Sequence, residues 1–246
     1  MATNYKLTIR YDGTRYSGWE HKTGRDTVQG RLMQVFEKMT GEPVTVIGAG
    51  RTDAGVHALS MVANVHLNCS MGAKEVKSYA NRYLPEDIAL TGIKEVSQRF
   101  HARYNAVGKT YCYTLWDGNE KPVFNRKYVW VLESRLDVSA MQAAAEYMKG
   151  THDFGGFCKN PQKKKSTVRT IDQISVQREK DTVKIVVHGD GFLHHMVRII
   201  TGTLVEIGMG RMEPEKIRDV LDTGDRSLAG PTAPALGLCL MEIDYN

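Results

Sequence analysis

The sequence lacks several features that would assign it at once to common protein classes. It has no run of about 18 consecutive apolar residues, so we expect no membrane-spanning segment. Its four cysteines are scattered, and none forms a C-x-x-C pair, which argues against a zinc ribbon or a thiol redox motif. We therefore expect reduced thiols in a cytoplasmic protein. The cysteines are Cys69, Cys112, Cys158 and Cys239.

A strong net charge is missing as well. The 246 residues carry a net charge of +5, and 41% apolar and 25% charged residues are ordinary values for a globular protein. This length allows one large domain or two modest ones. A mildly basic chain is compatible with a polyanionic partner, but this charge alone does not indicate one.

The residue patterns predict both helices and strands. Tyr5, Leu7, Ile9 and Tyr11 alternate with polar residues, so the N-terminus is expected to be a strand and not a signal peptide. Further strands are predicted over 44–47, 61–67, 88–96, 106–116, 168–178, 182–188 and 237–244. Helices are predicted over 28–39, 73–83, 139–148 and 192–207, with a short one near Pro214. Asp26 and Gln29 resemble a capping box for the first helix.

This order of elements favours an α+β fold over a doubly wound parallel sheet. We expect two subdomains that share a largely antiparallel β-sheet flanked by helices. The predicted subdomains are residues 1–105 and 106–246, although no flexible linker marks the boundary.

The segment "GAGRTDAGVHA", residues 48–58, is unusually rich in glycine and charge. Its glycines do not have the G-x-G-x-x-G spacing of a dinucleotide site, and no lysine follows as in a phosphate-binding loop. The segment instead presents Asp53 on a glycine-framed loop, with Arg51 two residues before it. Two interpretations follow: Asp53 caps a turn, or it is an ionised carboxylate that acts as nucleophile or base.

This loop resembles the signature of the TruA family of RNA pseudouridine synthases. Six other segments resemble family motifs in the same order, so that the resemblance covers nearly the whole chain. They are "YDGTRYSGW", "NRYLPEDI", "FHARYNAVGKTYCY", "GTHDFGGF", "FLHHMVRIITGTLVEIG" and "AGPTAPALGLCLMEIDY". The resemblance implies a pseudouridine synthase fold, in which the first subdomain carries the Asp53 loop and the second completes the active-site cleft.

The resemblance also implies an enzyme that isomerises uridine to pseudouridine in the anticodon stem-loop of tRNA, at positions 38–40. This reaction is redox-neutral, so we expect no cofactor and no metal. Family members act as homodimers, and we expect the same here. Two alternatives remain: a related enzyme with the same chemistry on ribosomal RNA, and a non-catalytic RNA-binding protein.

Three residues match the catalytic positions of the family. Asp53 matches the aspartate that acts at C1′ of a flipped nucleotide, and Arg198 matches the arginine that pairs with it. Arg198 lies in the apolar stretch "MVRII", where an unpaired charge would be costly. Tyr111 matches a tyrosine that stacks on the uracil and could take part in removing the C5 proton. Without the resemblance, a core role would be the expectation for Tyr111, which shares a strand face with Tyr113.

Other residues are expected to bind substrate. Leu238 matches a residue that lines the base pocket, although a plain core role is equally compatible. We hypothesise that Arg51 fills the gap left by the flipped nucleotide. The residues that fall where family members contact tRNA are His101, Arg103, Lys163, Lys164 and Lys165. Such a lysine run is otherwise typical of a solvated surface. Glu20 departs from the family, which often has glutamine after "GW".

His194 and His195 are neighbours in a predicted helix. Adjacent side chains on a helix point about 100° apart, so we do not expect these two histidines to share a metal ion.

Overall fold

The structure is a computed structural model that describes residues 2–160 and 165–246. The described chain divides into two compact units. The first contains the chain as far as Val107 together with Cys239–Asn246, and the second contains Gly108–Leu238. The last residues of the chain therefore belong to the first unit, whereas the predicted division at residue 105 assigned them to the second. In each unit helices flank a mostly antiparallel sheet, so the expected α+β class is confirmed.

The first unit is built around a sheet whose strands lie in the order β4-β1-β3-β10, with β2 paired to β3. Strand β1 is antiparallel to both β3 and β4, whereas β10 is parallel to β3. The elements are β1 (Thr3–Tyr11), α1 (Val28–Thr40), β2 (Val46–Gly48), β3 (His57–Leu67), α2 (Ala73–Tyr83), β4 (Ile88–Glu95) and β10 (Leu238–Tyr245).

The alternation predicted for the first strand is confirmed, since Tyr5, Leu7, Ile9 and Tyr11 are all at most 3% exposed. Helix α1 begins one residue later than its predicted capping box. Thr27, not Asp26, accepts the capping hydrogen bond, from the backbone N–H of Gly30. The carboxylate of Asp26 instead forms ion pairs with arginine side chains, and a carboxylate held in that way does not cap the helix.

The second unit contains a sheet with the strand order β5-β9-β8-β7, and β6 is paired to β5. The pairs β5–β9, β8–β9 and β7–β8 are antiparallel. The strands are β5 (Ala106–Trp116), β6 (Trp130–Val131), β7 (Gly150–Asp153), β8 (Val168–Glu179) and β9 (Thr182–Gly189). The helices are α3 (Val138–Glu146), α4 (Met196–Gly208) and α5 (Lys216–Thr223), with short 3₁₀ turns at Gly155–Phe157, Arg226–Leu228 and Ala235–Gly237.

Helix α4 is almost wholly buried, but it starts later than its apolar pattern predicts. His195 has a φ of 63°, in the left-handed region, and so it cannot continue a right-handed helix back toward Phe192. The prediction that the helix begins at Phe192 is therefore wrong. The consequence for the site is that Arg198 lies in the first turn of α4.

Candidate active site

The glycine-framed loop connects β2 to β3 in the first unit. It closes on itself through a hydrogen bond from the Val56 N–H to the Asp53 carbonyl, at 3.2 Å. Gly55 has a φ of 79°, a conformation that favours glycine. A Cβ on Gly48 would lie 2.5 Å from Nε1 of Trp19. The glycines therefore serve the tight turn and the close packing of a neighbouring loop.

That neighbouring loop spans residues 12–20 and contains most of the motif "YDGTRYSGW", residues 11–19. The backbone N–H of Trp19 donates to the carbonyl of Thr52 at 3.1 Å, and that of Gly55 donates to the carbonyl of Tyr16 at 3.3 Å. The two motifs, far apart in sequence, thus form one packed structure. Asp53 is half-buried at its centre.

Histidine 57, at the start of β3, adds a further tie between the two loops. Its ring is buried, and its Nδ1 accepts a hydrogen bond from the backbone N–H of Gly13 at 3.0 Å. Asp12 Oδ1 lies 3.2 Å from the same nitrogen. Nδ1 of His57 thus meets both the backbone N–H of Gly13 and the carboxylate of Asp12 at the start of the neighbouring loop.

Arg51, expected to contact RNA, points into solvent. Its side chain is 63% exposed and its Nη2 lies 2.5 Å from a carboxylate oxygen of Glu20. The ion pair joins the Asp53 loop to the end of the neighbouring loop.

Tyr111 lies on β5 in the second unit, opposite Val187 of β9. It is 9% exposed, and its ring meets Phe192 edge-on with ring centroids 5.2 Å apart. The next inward tyrosine of the strand, Tyr113, is fully buried and donates to the carbonyl of Pro234 at 2.7 Å. Burial raises the pKa of Tyr113, and the nearby charge of Arg198 lowers it in part.

Arg198 is half-buried in the first turn of α4. Its Nε donates to the carbonyl of Ala233 at 2.8 Å, and its own carbonyl accepts from the N–H of Ala233 at 3.0 Å. Its Nη1 lies 3.4 Å from Nε2 of His195. These contacts fix the direction of the guanidinium. Leu238 is 6% exposed where the last strand begins, which is compatible with both of its expected roles.

The expected RNA contacts are distributed unevenly. Nδ1 of His101 accepts the backbone N–H groups of Arg103 and Tyr104, at 3.2 and 3.3 Å, so this histidine shapes a turn. Arg103 is exposed, and Tyr104 is 79% exposed with its ring stacked on His101. Lys165 is exposed, whereas Lys163 and Lys164 lie outside the described residues.

Comparison with known proteins decides the family. A family model described as tRNA pseudouridine synthase matches residues 7–105 and 144–246. The chain belongs to the tRNA pseudouridine synthase family. Related proteins named tRNA pseudouridine synthase A occur in Clostridium kluyveri, at 45% identity, and in Bacillus sp. strain KSM-64, at 47%. Each comparison covers 98% of this chain and 99% of the relative. A protein of Clostridium perfringens named tRNA pseudouridine synthase A 2 is 44% identical over the same shares.

Membership of the tRNA pseudouridine synthase family confirms the resemblance seen in the motifs. The enzyme class follows from it: the chain is an isomerase that acts on tRNA. Asp53, Arg198 and Leu238 fall within the matched ranges, and Tyr111 falls between them. In the part of the chain that the structure describes, no helix is long and apolar enough to cross a membrane.

The motifs contain Thr52 and Tyr11 but do not indicate a role for their hydroxyls, which share a buried hydrogen bond beside Asp53. Alternation along the first strand predicts only that Tyr11 lies in the core. A single sequence does not indicate that its hydroxyl meets one 41 residues away.

Proposed function

We propose that this chain converts uridine to pseudouridine at positions 38–40 of the tRNA anticodon stem-loop, with Asp53 as the catalytic carboxylate. One observation carries the proposal: Asp53 is half-buried on a loop that is tied to a second family motif by backbone hydrogen bonds. Such a loop presents a carboxylate in a fixed position, as a reaction at a sugar carbon requires. Family membership supports the reaction.

The chemistry needs a charged oxygen and little else. The bond between N1 of uracil and C1′ of the ribose breaks, the base turns, and C5 bonds to C1′. C5 then loses its proton while N1 gains one, so that substrate and product have the same atoms. The Asp53 carboxylate attacks C1′, or it stabilises the positive charge that develops there. Both roles require it to be ionised, and neither consumes a cofactor.

Tyr111 is proposed to hold the uracil. Its nearly buried ring, braced edge-on by Phe192, is a rigid surface on which a flipped base can stack. Its phenol oxygen is proposed to take part in removing the C5 proton. Leu238 is proposed to line the same base pocket, and a plain core role remains the alternative for both residues.

Arg198 is proposed to pair with the Asp53 carboxylate, as the resemblance implies. The hydrogen bond from its Nε to the carbonyl of Ala233 supports this role, because it fixes the direction in which the guanidinium points. A charge-assisted contact of this kind would fix the orientation of the carboxylate.

The remaining residues are proposed to hold the RNA. Exposed Arg51 would occupy the gap left by the flipped uridine, where its planar guanidinium could also contact a phosphate. Phosphate contacts are proposed for Arg103, for His101 and for the lysines at 163–165. A cytoplasmic homodimer, which would double the basic surface of a chain with a net charge of only +5, completes the proposal.

Ribosomal RNA is the alternative substrate, and simple RNA binding is the alternative activity. The similarity to proteins named tRNA pseudouridine synthase A favours the tRNA substrate. The presence of Asp53, Tyr111 and Arg198 together favours catalysis over simple binding.

The proposal is tested by the purified Asp53→Asn variant, assayed on an anticodon stem-loop. We expect its rate of pseudouridine formation to fall by about a thousandfold or more, with the circular dichroism spectrum unchanged. Asp222→Asn, which changes an exposed aspartate of α5, should convert uridine at the normal rate. A folded Asp53→Asn protein with the normal rate would overturn the proposal.

Mapping of pseudouridine in total RNA after deletion of the gene tests the substrate. Loss of the modification at positions 38–40 of tRNA would support the proposal. Loss confined to ribosomal RNA would favour the related enzyme, and no loss would favour an RNA-binding protein.

A further inference from the structure

Thr52, the residue directly before Asp53, points into the first unit. It is 6% exposed, whereas Arg51 on one side is exposed and Asp53 on the other is half-buried. A buried threonine must satisfy its hydroxyl within the protein. The partner it uses shows what holds this part of the loop.

The partner is the phenol of Tyr11, whose oxygen lies 2.7 Å from Oγ1 of Thr52. Tyr11 is 3% exposed at the end of β1, where its backbone pairs with Ala58 of β3 and with Ile88 of β4. A residue whose backbone is paired on both sides is a rigid support. The hydrogen bond therefore ties the residue before Asp53 to the end of an internal strand of the sheet.

The backbone of Thr52 is held as well. Its carbonyl accepts the N–H of Trp19 at 3.1 Å, and a Cβ on Gly18 would lie only 2.7 Å from that carbonyl oxygen. On its other side, the carbonyl of Asp53 accepts the N–H of Val56. Hydrogen bonds thus hold the backbone both before and after the Asp53 side chain. On the Thr52 side, the hydroxyl of Thr52 adds a further contact through Tyr11.

We infer that Thr52 and Tyr11 are positioning residues for the carboxylate of Asp53, an inference that rests on the proposed catalytic role of Asp53. Neither needs to touch the substrate. Their shared hydrogen bond fixes the position and orientation of the backbone that carries the Asp53 side chain. Displacement of a reacting group by about 1 Å can lower a rate by about a hundredfold.

Four variants test the inference. Thr52→Val and Tyr11→Phe each remove one hydroxyl and keep most of the side-chain shape, while Thr52→Ser keeps the hydroxyl. The matched control is Tyr5→Phe, which alters an equally buried tyrosine of the same strand whose phenol oxygen donates to the carbonyl of Met71, outside the Asp53 loop. Each variant is assayed on an anticodon stem-loop for kcat and KM, and its thermal unfolding is measured separately.

We expect Thr52→Val and Tyr11→Phe to lower kcat about tenfold to a hundredfold while KM stays within about twofold, because neither change alters a side chain that is proposed to contact the RNA. Thr52→Ser should restore most of the rate. The double variant Thr52→Val/Tyr11→Phe should be little slower than the slower single variant, since both changes break the same contact. Tyr5→Phe should keep the kcat of the unchanged protein.

The inference is wrong if Thr52→Val and Tyr11→Phe unfold at lower temperature but keep their kcat at temperatures where they are folded. If Thr52→Val does not fold, Tyr11→Phe and Thr52→Ser carry the test, with the same criterion. Asp53→Asn separates this failure from that of the proposed function. An inactive Asp53→Asn beside fully active Thr52→Val and Tyr11→Phe overturns only the positioning role, whereas an active Asp53→Asn overturns both.

Discussion

Arg51 and Glu20 form an ion pair, with a nitrogen and an oxygen 2.5 Å apart, that joins the two loops around Asp53. Both side chains are well exposed, at 63% and 40%. Solvent-exposed pairs contribute about 0–1 kcal/mol, so this one does little for stability. Its consequence is for binding: an RNA phosphate that approaches Arg51 must compete with the carboxylate of Glu20.

Replacing Glu20 with glutamine should therefore strengthen RNA binding. We expect Glu20→Gln to lower the dissociation constant for an anticodon stem-loop by up to about fivefold, a difference of about 1 kcal/mol. Equilibrium binding at fixed salt measures it. The control is Glu86→Gln, which removes the same charge from an exposed position in the same unit. An equal gain in affinity in both variants would mean that the change in net charge, and not the loss of the ion pair with Arg51, strengthens RNA binding.

Arg51→Ala should slow the enzyme more on folded RNA than on flexible RNA. If Arg51 stabilises the flipped uridine, its loss matters where base stacking has to be broken, a cost of a few kcal/mol in structured RNA. We expect kcat/KM to fall by at least about tenfold more on a complete stem-loop than on a single-stranded oligonucleotide with the same target uridine. Equal losses on both substrates would refute the role.

Gly48→Ala should destabilise the first unit. The added Cβ would lie 2.5 Å from Nε1 of Trp19, and the buried indole has no room to move away. Overpacking of this kind costs about 1–3 kcal/mol. Denaturant unfolding measures the change. Gly191→Ala is the control, because its Cβ would meet no atom closer than 3.6 Å. Equal stability of Gly48→Ala and the unchanged protein would show that the Trp19 contact is not tight.

Asp117→Ala should strongly destabilise the second unit. The carboxylate is fully buried and accepts hydrogen bonds from Arg178, at 2.8 Å, and from the N–H of Leu136, at 3.0 Å. Removing one partner of a buried pair costs about 3–5 kcal/mol. Asp181→Ala is the matched control, since Asp181 is 44% exposed and pairs with Arg135 at the surface. The two variants should differ by several-fold in the free energy lost, and similar losses would contradict this.

Periodicity in the sequence predicted the strands and helices well where burial follows the pattern, as in β1. It failed where a single backbone conformation decides. The left-handed conformation of His195 delays the start of α4, although Phe192 and Leu193 continue the apolar pattern. The predicted capping role of Asp26 failed as well, because its carboxylate forms ion pairs with Arg15 and Arg31 instead of capping the helix.

The candidate site was partly predictable for a related reason. Glycine framing and the family motifs single out Asp53, since both are written in consecutive residues. The contact that supports the Asp53 loop was not predictable in this way, because the hydroxyl pair of Thr52 and Tyr11 joins residues 41 positions apart. Only the folded sheet brings those hydroxyls together.

The pH dependence of stability should report the ion pairs of Asp26. Arg31 holds this carboxylate through two hydrogen bonds, at 2.7 and 2.8 Å, and Arg15 lies 3.0 Å away. The hydrogen bond from Arg31 lowers the pKa of Asp26 below its ordinary value of 3.8, against the opposing effect of burial. In acid the unfolded chain therefore takes up a proton at this residue before the folded protein does, and this contribution to stability is lost as the pH falls from about 4 through the folded pKa.

Asp26→Asn removes the contribution at every pH. We expect the variant to be less stable than the unchanged protein at pH 7, and the difference to shrink as the pH falls below about 4, where the native carboxylate is protonated. Urea unfolding at pH 7, 5, 4 and 3 measures the difference. Glu42→Gln, at an exposed position of the same unit, should show no comparable convergence. A constant difference between Asp26→Asn and the unchanged protein across this range would mean that the charge of Asp26 does not stabilise the fold.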